Sequence, residues 1–211
     1  MELADAVRRR RMCRSFEAGR PVPRQVLDTA LRAATCAPSA GFSQGWDFVV
    51  LQTASERTTF WDAALSTAPD GEPDRWLRGV SSAPCLVLCC SDPERYRRRY
   101  REPDKAGDSA QEWPIPYWDV DTGMAALLML LTAVDHRLGG LFFGVPASAV
   151  DAVRTAVGIP TDRRLVGVVA LGYPADEAHP SRRSRRRRPV AEVVHAGRFG
   201  VPWQPRASSS D

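Results

Sequence analysis

The 211-residue sequence has no run of 18 or more apolar residues, which is the length that a bilayer-spanning helix requires. Its first residues, Met1 to Asp5, also lack the charged and then apolar order of a secretory signal. We therefore expect a soluble, cytoplasmic protein with no membrane partner. A hydrophobic content of 44% over this length predicts a single domain, residues 1–211, with one substantial core.

Residues that bind metals or form disulfides are scarce. The three histidines lie far apart, and the five cysteines show no paired Cys-x-x-Cys spacing. Cys85, Cys89 and Cys90 lie beside an apolar run, where free cysteine behaves as a small hydrophobic residue. We expect neither a structural metal nor a disulfide framework.

Positive charge is concentrated in two short clusters. The net charge is +4, and eleven arginines near the two ends supply it: Arg8, Arg9, Arg10, Arg11, Arg14, Arg182, Arg183, Arg185, Arg186, Arg187 and Arg188. Without them the chain is acidic. Such local charge predicts the binding of an anion rather than a generally basic surface. For either cluster alone, a solvated segment or a nucleic-acid contact stays open as an alternative.

Helical and strand patterns alternate along the chain, which predicts an α+β fold with a sheet covered by helices. The predicted strands are 47–52, 84–90, 141–143 and 165–171, and the predicted helices cover 26–34, 60–65, 122–138 and 148–158. The third helix, capped by Asp121, is apolar nearly all round and is expected at the centre of the core. Its apolar stretch of about a dozen residues is too short to span a bilayer. Residues 66–82 are predicted to form a flexible loop, 103–119 an aromatic lid and 200–211 a disordered tail.

Three separated segments of the sequence carry the motifs of one protein family. The opening from Arg10 to Phe16 (Arg-Arg-Met-Cys-Arg-Ser-Phe) resembles the Arg-Arg-Ser-x-Arg-x-Phe of the nitroreductase-like FMN oxidoreductases. The loop from Ala37 to Trp46 is similar to its Ala-Pro-Ser-x-x-Asn-x-Gln-Pro-Trp. Residues 158–160, 166–174 and 185–189 follow its C-terminal third in order and spacing.

This resemblance implies a three-layer sandwich around a mixed, mainly antiparallel sheet, in an intertwined homodimer whose two subunits build each flavin site. It also implies the cofactor-binding residues, which are Arg10, Arg11, Met12, Arg14, Ser39, Ala40, Gly41, Gln44, Gly139, Gly140, Arg185 and Arg187. The arginines suit the FMN phosphate, because guanidinium groups form paired, charge-assisted hydrogen bonds with its oxygens. Ser39 and Gln44 match positions that contact the ribityl chain and the ring, and the glycines match a segment that approaches the ring closely.

The sequence departs from the family's motifs at three positions. Met12 replaces a serine, Phe42 an asparagine and Gly45 a proline. Phe42 is therefore a candidate substrate contact, and three aromatic residues of the predicted lid are further candidates, with ordinary packing as their alternative: Trp113, Tyr117 and Trp118. The basic patch at 97–99 matches no family motif and is either a solvated helix face or an attractor of an anionic substrate or nicotinamide phosphate.

The expected activity is an FMN-dependent NAD(P)H oxidoreductase that reduces nitroaromatic, quinone or related electrophilic small molecules by ping-pong hydride transfer. Because the flavin carries the hydride, no catalytic acid or base is assigned. The alternatives are a flavin-dependent dehydrogenase or oxidase acting on a biosynthetic intermediate, a flavin-sequestering protein and a nucleic-acid-binding protein. The choice between NADH and NADPH stays open, as does the deazaflavin F420 in place of FMN.

Overall fold

The computed structural model describes residues 1–66, 72–105, 113–175 and 186–203. Although the sequence predicts one domain, the chain divides into two compact units, Met1–Ala178 and His179–Asp211. The described part of the second unit holds one short helix, α8 (Val190–Val193), and no buried residue. All of the buried core in the described chain therefore lies in the first unit.

Four strands form one antiparallel sheet in the first unit. They are β1 (Trp46–Leu51), β2 (Cys85–Ser91), β3 (Gly139–Phe143) and β4 (Arg164–Gly172). Their order across the sheet is β1-β2-β4-β3, and each neighbouring pair is antiparallel. A single parallel bridge joins Met12 to Gly140 of β3. The predicted mixed, mainly antiparallel sheet is confirmed.

Helices cover both faces of this sheet. In chain order they are α1 (Leu3–Arg9), α2 (Arg24–Thr35), α3 (Ala54–Leu65), α4 (Arg75–Ser81), α5 (Pro93–Arg99), α6 (Tyr117–Asp135) and α7 (Val150–Ala156). Alternate residues of the fully buried strand β2 point to opposite faces. Val87 packs with α2 and α6, and Leu86 with α3, α4 and α7. The three predicted layers are therefore present.

Helix α6 begins earlier than the sequence predicts. It starts at Tyr117 after Pro116, so Asp121 does not cap the helix but lies inside it and is 4% exposed. The buried carboxylate has hydrogen-bond donors from outside the helix, which is why it tolerates this position. With 19 residues α6 is long and apolar enough to cross a membrane by length and composition alone. Its contacts with α2 and all four strands instead make it the core helix.

Part of the region predicted as a flexible loop is helical. The side chain of Asp74 accepts a hydrogen bond of 2.7 Å from the backbone N–H of Leu77 and so caps α4. The prediction of a loop across 75–81 is therefore wrong, because a local cap and buried Val80 outweigh the preceding Pro-, Asp- and Gly-rich composition. In the predicted lid, 103–105 form a short 3-10 turn and 117–119 begin α6. Residues 67–71, 106–112 and 204–211 lie outside the described residues.

Candidate functional site

The N-terminal arginine segment follows α1 and runs beside β3. Arg10 is the central feature, because its Nη1 atom is buried and has no hydrogen-bond partner. Arg11 and Arg14 are exposed, and their guanidinium groups contact backbone carbonyl oxygens of their own segment. Within the described residues no carboxylate pairs with any of the three. A buried, unsatisfied guanidinium N–H is costly, so this geometry suits an anion that accepts its hydrogen bond.

Helix α4 fixes the position of this segment. A Cβ atom on Gly79 would overlap the carbonyl oxygen of Arg14, so only glycine allows this approach of helix and segment. The hydroxyl of Ser82 accepts a hydrogen bond of 3.1 Å from the N–H of Phe16 and can donate to the carbonyl oxygen of Gly79 at 2.7 Å or to that of Phe16 at 3.0 Å. Sequence reasoning missed this support because it placed a loop here.

The adjacent glycines of β3 are required by the chain's own packing. A Cβ on Gly139 would lie 2.7 Å from the Sγ of Cys13, and a Cβ on Gly140 would lie 2.7 Å from a methyl group of Leu130. The carbonyl oxygen of Gly140 also accepts a hydrogen bond of 2.9 Å from the N–H of Cys13. The structure thus explains both glycines without a flavin, and their contact with a flavin ring stays a prediction.

The second candidate segment, Ser39 to Gln44, is a tight loop with unusual backbone angles. Gly41, Phe42 and Gln44 have φ values of 61°, 57° and 49°, in the left-handed region that only glycine adopts readily. The N–H of Gln44 donates a hydrogen bond of 2.9 Å to the hydroxyl of Ser39, which closes the loop. Phe42 is 76% exposed. Non-glycine residues held in this region cluster at functional sites, because the surrounding structure must impose the strain.

A buried hydrogen-bond network attaches this loop to the core. One carboxylate oxygen of Asp121 accepts hydrogen bonds from the N–H of Ala40 at 2.9 Å and from the hydroxyl of Tyr96 at 2.8 Å. Burial, and then the hydrogen bond to Asp121, raises the pKa of Tyr96 far above its usual range, so this hydroxyl stays a donor. The loop is thereby joined to α6 and α5.

Residues at the C-terminal end of helix α5 also hold this loop in place. The Nε of Arg99 donates a hydrogen bond of 2.8 Å to the carbonyl oxygen of Gly41, and the ring of Tyr100 packs where a Cβ of Gly41 would be. Gly45 has no room for a side chain, because a Cβ there would overlap the ring of Tyr96. This contact gives a physical reason why proline is absent from that position.

A groove of about 360 Å³ separates the loop from α5, a volume within the range of small-molecule sites. Its lining residues are Phe42, Ser43, Gln44, Arg95, Arg98, Arg99 and Glu102. The basic patch that matched no family motif is therefore next to one of the segments that did.

The aromatic candidates of the predicted lid pack largely against each other. The ring of Trp113 makes edge contacts with Tyr100 and Tyr117, at centroid distances of 4.6 and 5.2 Å, and stacks on Trp118 at 6.4 Å. None of the three candidates lines the groove beside Phe42 among the described residues. Trp113 and Trp118 thus take part in packing, whereas Tyr117 remains 41% exposed on α6. A substrate contact of any of the three stays a prediction.

The two candidate segments meet α6 at different points. The loop is bound at Asp121 and the strand beside the arginine segment contacts Leu130, a separation of nine residues or about 14 Å along the helix axis. Arg187 belongs to the second unit, and Arg185 lies outside the described residues. Their contact with a phosphate stays a prediction.

The buried cysteines show no sign of a nucleophile. Burial raises the pKa of Cys85 to about 12 and that of Cys90 to about 11, so both thiols stay protonated at neutral pH. Among the described residues no group of histidine, cysteine and carboxylate side chains has the geometry to hold a metal ion.

Comparison with known proteins gives one consistent result. Residues 7–173 match the profile of the family described as "Nitroreductase family". A protein of Methanothermobacter thermautotrophicus, whose name combines NADH dehydrogenase and NAD(P)H nitroreductase, is 28% identical over 83% of this chain and 79% of its own. An NADH dehydrogenase of Thermus thermophilus is 29% identical over 87% and 92%. A crystal structure from Exiguobacterium sibiricum, in complex with FMN, has a TM-score of 0.73 at 17% identity and covers 93% of this chain and 97% of its own.

Proposed function

Since the chain belongs to the nitroreductase family, we propose that it is an FMN-dependent oxidoreductase that takes hydride from NADH or NADPH and passes it to a small electrophilic molecule. The family and the enzyme class that the sequence resemblance implied are confirmed. The names of the two relatives, which refer to NADH and NAD(P)H, support a nicotinamide donor, and the FMN complex of the structural neighbour supports the cofactor.

The observation that carries the proposal is the buried, unpartnered Nη1 of Arg10. A phosphate monoester is doubly charged and accepts several hydrogen bonds, so it would satisfy this atom and use the free charge of Arg11 and Arg14. Met12 replaces the family's serine, so this position offers the phosphate backbone groups but no side-chain hydroxyl. The residues present therefore fit the phosphate end of FMN.

The other residues of the proposed site would position the cofactor and shield it. Ser39 and Gln44 would hold the ribityl chain and ring, in a loop that Asp121 and α5 keep rigid. FMN, when bound, supplies the hydride chemistry, and the chain supplies orientation and electrostatics. No side chain is assigned as a general acid or base. Cofactor contacts from Arg185 and Arg187 belong to the same proposal.

We further propose that the functional unit is a homodimer packed on α6. Its exposed apolar residues Tyr117, Val120, Met124 and Leu127 recur at spacings of three, four and three, which places them on one side of the helix. Each is 39 to 47% exposed, and a continuous apolar stripe of this kind marks an interaction surface. Leu127→Glu should shift the protein from dimer to monomer in sedimentation or light-scattering measurements, while an unchanged dimer would contradict this interface.

The electron acceptor is proposed as a nitroaromatic, quinone or related electrophile. The alternative function is a dehydrogenase or oxidase, in which the flavin oxidises a biosynthetic intermediate. Phe42 favours this alternative because it alters the loop that would face the substrate. A cytoplasmic location also stays a prediction.

The test of the cofactor proposal is FMN binding by the apoprotein. Arg10→Gln removes the guanidinium but keeps an amide, and it should weaken FMN binding by about tenfold or more, because a charge-assisted contact to phosphate is lost. Riboflavin, which has no phosphate, should bind parent and variant equally. Arg32→Gln, an exposed arginine on α2, is the matched control. Equal FMN affinity in parent and Arg10→Gln would contradict the proposed phosphate site.

A further inference from the structure

Two arginines of α5 carry positive charge that the fold itself leaves uncompensated. Arg95 and Arg98 are exposed and line the groove beside the loop. The third arginine of the groove, Arg99, is already occupied by a two-point contact with Asp104, at 2.7 Å for each hydrogen bond, and by Glu102. Within the described residues no ion pair joins Arg95 or Arg98 to a carboxylate.

The helix dipole favours Arg98, which lies in the last turn of α5, but it does not account for Arg95 or for the pairing of the two charges. Arg95 is the third residue of α5, near the positive end of the helix dipole, where a cation is unfavourable. Arg98 lies three residues later on the same side of the helix, so the two positive charges repel each other. Both effects oppose local folding. An anion bound between the two side chains would reverse both.

The other wall of the groove connects this charge with the proposed flavin site. It is formed by Phe42, Ser43 and Gln44, and Gln44 is the residue that the family resemblance assigns to the flavin. Arg99 holds this wall in place through the carbonyl oxygen of Gly41. A molecule whose acidic group binds at α5 therefore lies beside the loop that would contact the flavin.

We propose that Arg95 and Arg98 form an oxyanion subsite, which holds a phosphate or carboxylate group of the small molecule that exchanges hydride with the flavin. This inference rests on the proposed function and deepens it. Two sources share the required chemistry: the ribose 2′-phosphate that distinguishes NADPH from NADH, and an acidic group on the electron acceptor. The subsite makes charge, rather than ring shape alone, a determinant of specificity.

The experiment compares the parent holoenzyme with the double variant Arg95→Gln/Arg98→Gln and with Arg32→Gln as the control. Calorimetry measures the binding of 2′,5′-ADP and of 4-nitrobenzoate to the oxidised proteins, which requires no turnover. Rapid-mixing kinetics then compares NADPH with NADH in the reductive half-reaction. The oxidative half-reaction compares 4-nitrobenzoate with neutral 4-nitrobenzamide on photoreduced protein.

The expected result is a loss of about tenfold or more in the affinity for one anionic probe, with FMN content and the reaction of its neutral counterpart unchanged. If the double variant loses affinity for 2′,5′-ADP and also loses the preference for NADPH over NADH, the bound group is the nicotinamide phosphate. Loss for 4-nitrobenzoate identifies an acidic acceptor. The proposal is overturned if the parent binds neither probe, if the double variant retains parent affinity for both, or if charged and neutral partners lose rate equally. A parent that binds an anionic probe but is bleached by neither nicotinamide would refute the proposed function alone.

Discussion

Gly79→Ala should weaken flavin binding although Gly79 is not itself one of the proposed cofactor-binding residues. A Cβ at this position would lie well inside the 3.0 Å that real Cβ atoms keep from other atoms, and the atom it meets is the backbone carbonyl oxygen of Arg14. The segment must retreat by about 1 Å, which would weaken its hydrogen bonds to the phosphate, and a hydrogen bond to a charged group contributes about 1.5–3 kcal/mol. We expect the dissociation constant of FMN to rise by about ten- to a hundredfold.

The expected change in stability is much smaller. Overpacking costs about 1–3 kcal/mol, but alanine is favoured over glycine within a helix by about 1 kcal/mol. The free energy of unfolding should therefore fall by about 0–2 kcal/mol. Gly144→Ala is the control, because Gly144 is exposed and a Cβ there meets no atom within 4 Å. Flavin-fluorescence titration and urea unfolding measure the two quantities. An FMN affinity within about twofold of the parent would refute α4 as the support of the arginine segment, since the loss of one charge-assisted hydrogen bond predicts about tenfold or more.

Three further predictions concern the loop and the buried thiols. Phe42→Asn should raise the thermal midpoint and stabilise the protein by about 1 kcal/mol, because asparagine tolerates the left-handed backbone and the exposed ring buries little; a lower midpoint would contradict the strain. Tyr96→Phe should destabilise the protein by about 1–3 kcal/mol in urea unfolding, because the buried carboxylate of Asp121 loses a hydrogen-bond donor. An unchanged urea midpoint would contradict the contribution of this hydrogen-bond network to stability. Burial in the folded protein raises the pKa of Cys85 to about 12. The protonated thiol therefore contributes its full share to the stability of the fold below the unfolded pKa near 9, and this contribution is lost as the pH rises above 9. Under reducing conditions, Cys85→Ala should lessen the loss of stability between pH 9 and 11 by about 1.4 kcal/mol per pH unit, while exposed Cys36→Ala should leave the slope as in the parent.

The sheet was predictable because its strands carry their own signal. The run around Leu86 is continuously apolar, and the structure places β2 fully buried at the predicted place. The start of α3 was missed although its signal is present: Thr53 and Glu56 form a capping box, with both side chains bonded to backbone N–H groups. Asp121 was misread because an acidic residue before an apolar run resembles a cap. Its true partners are distant in sequence, so no local pattern reveals them.

The candidate site likewise contains residues that the sequence motifs identify and residues that only the folded structure identifies. The motifs identify Arg10 and Gln44 as candidate binding residues by residue type and order alone. They do not identify Gly79 or Tyr96, which act by close packing and a long-range hydrogen bond that exist only in the folded chain. The arginines of α5 were visible as a basic patch, but only the fold shows which of them is paired and which face a groove.

The proposed function requires that this chain binds FMN and accepts hydride from a nicotinamide. The most direct measurement is the visible spectrum of the purified protein under anaerobic conditions before and after addition of NADH or NADPH, followed by identification of the chromophore released on denaturation. We expect a yellow protein that releases FMN and is bleached by at least one of the two nicotinamides. A colourless protein that takes up no added FMN would contradict it, and a yellow protein that neither nicotinamide bleaches would contradict the proposed electron donor.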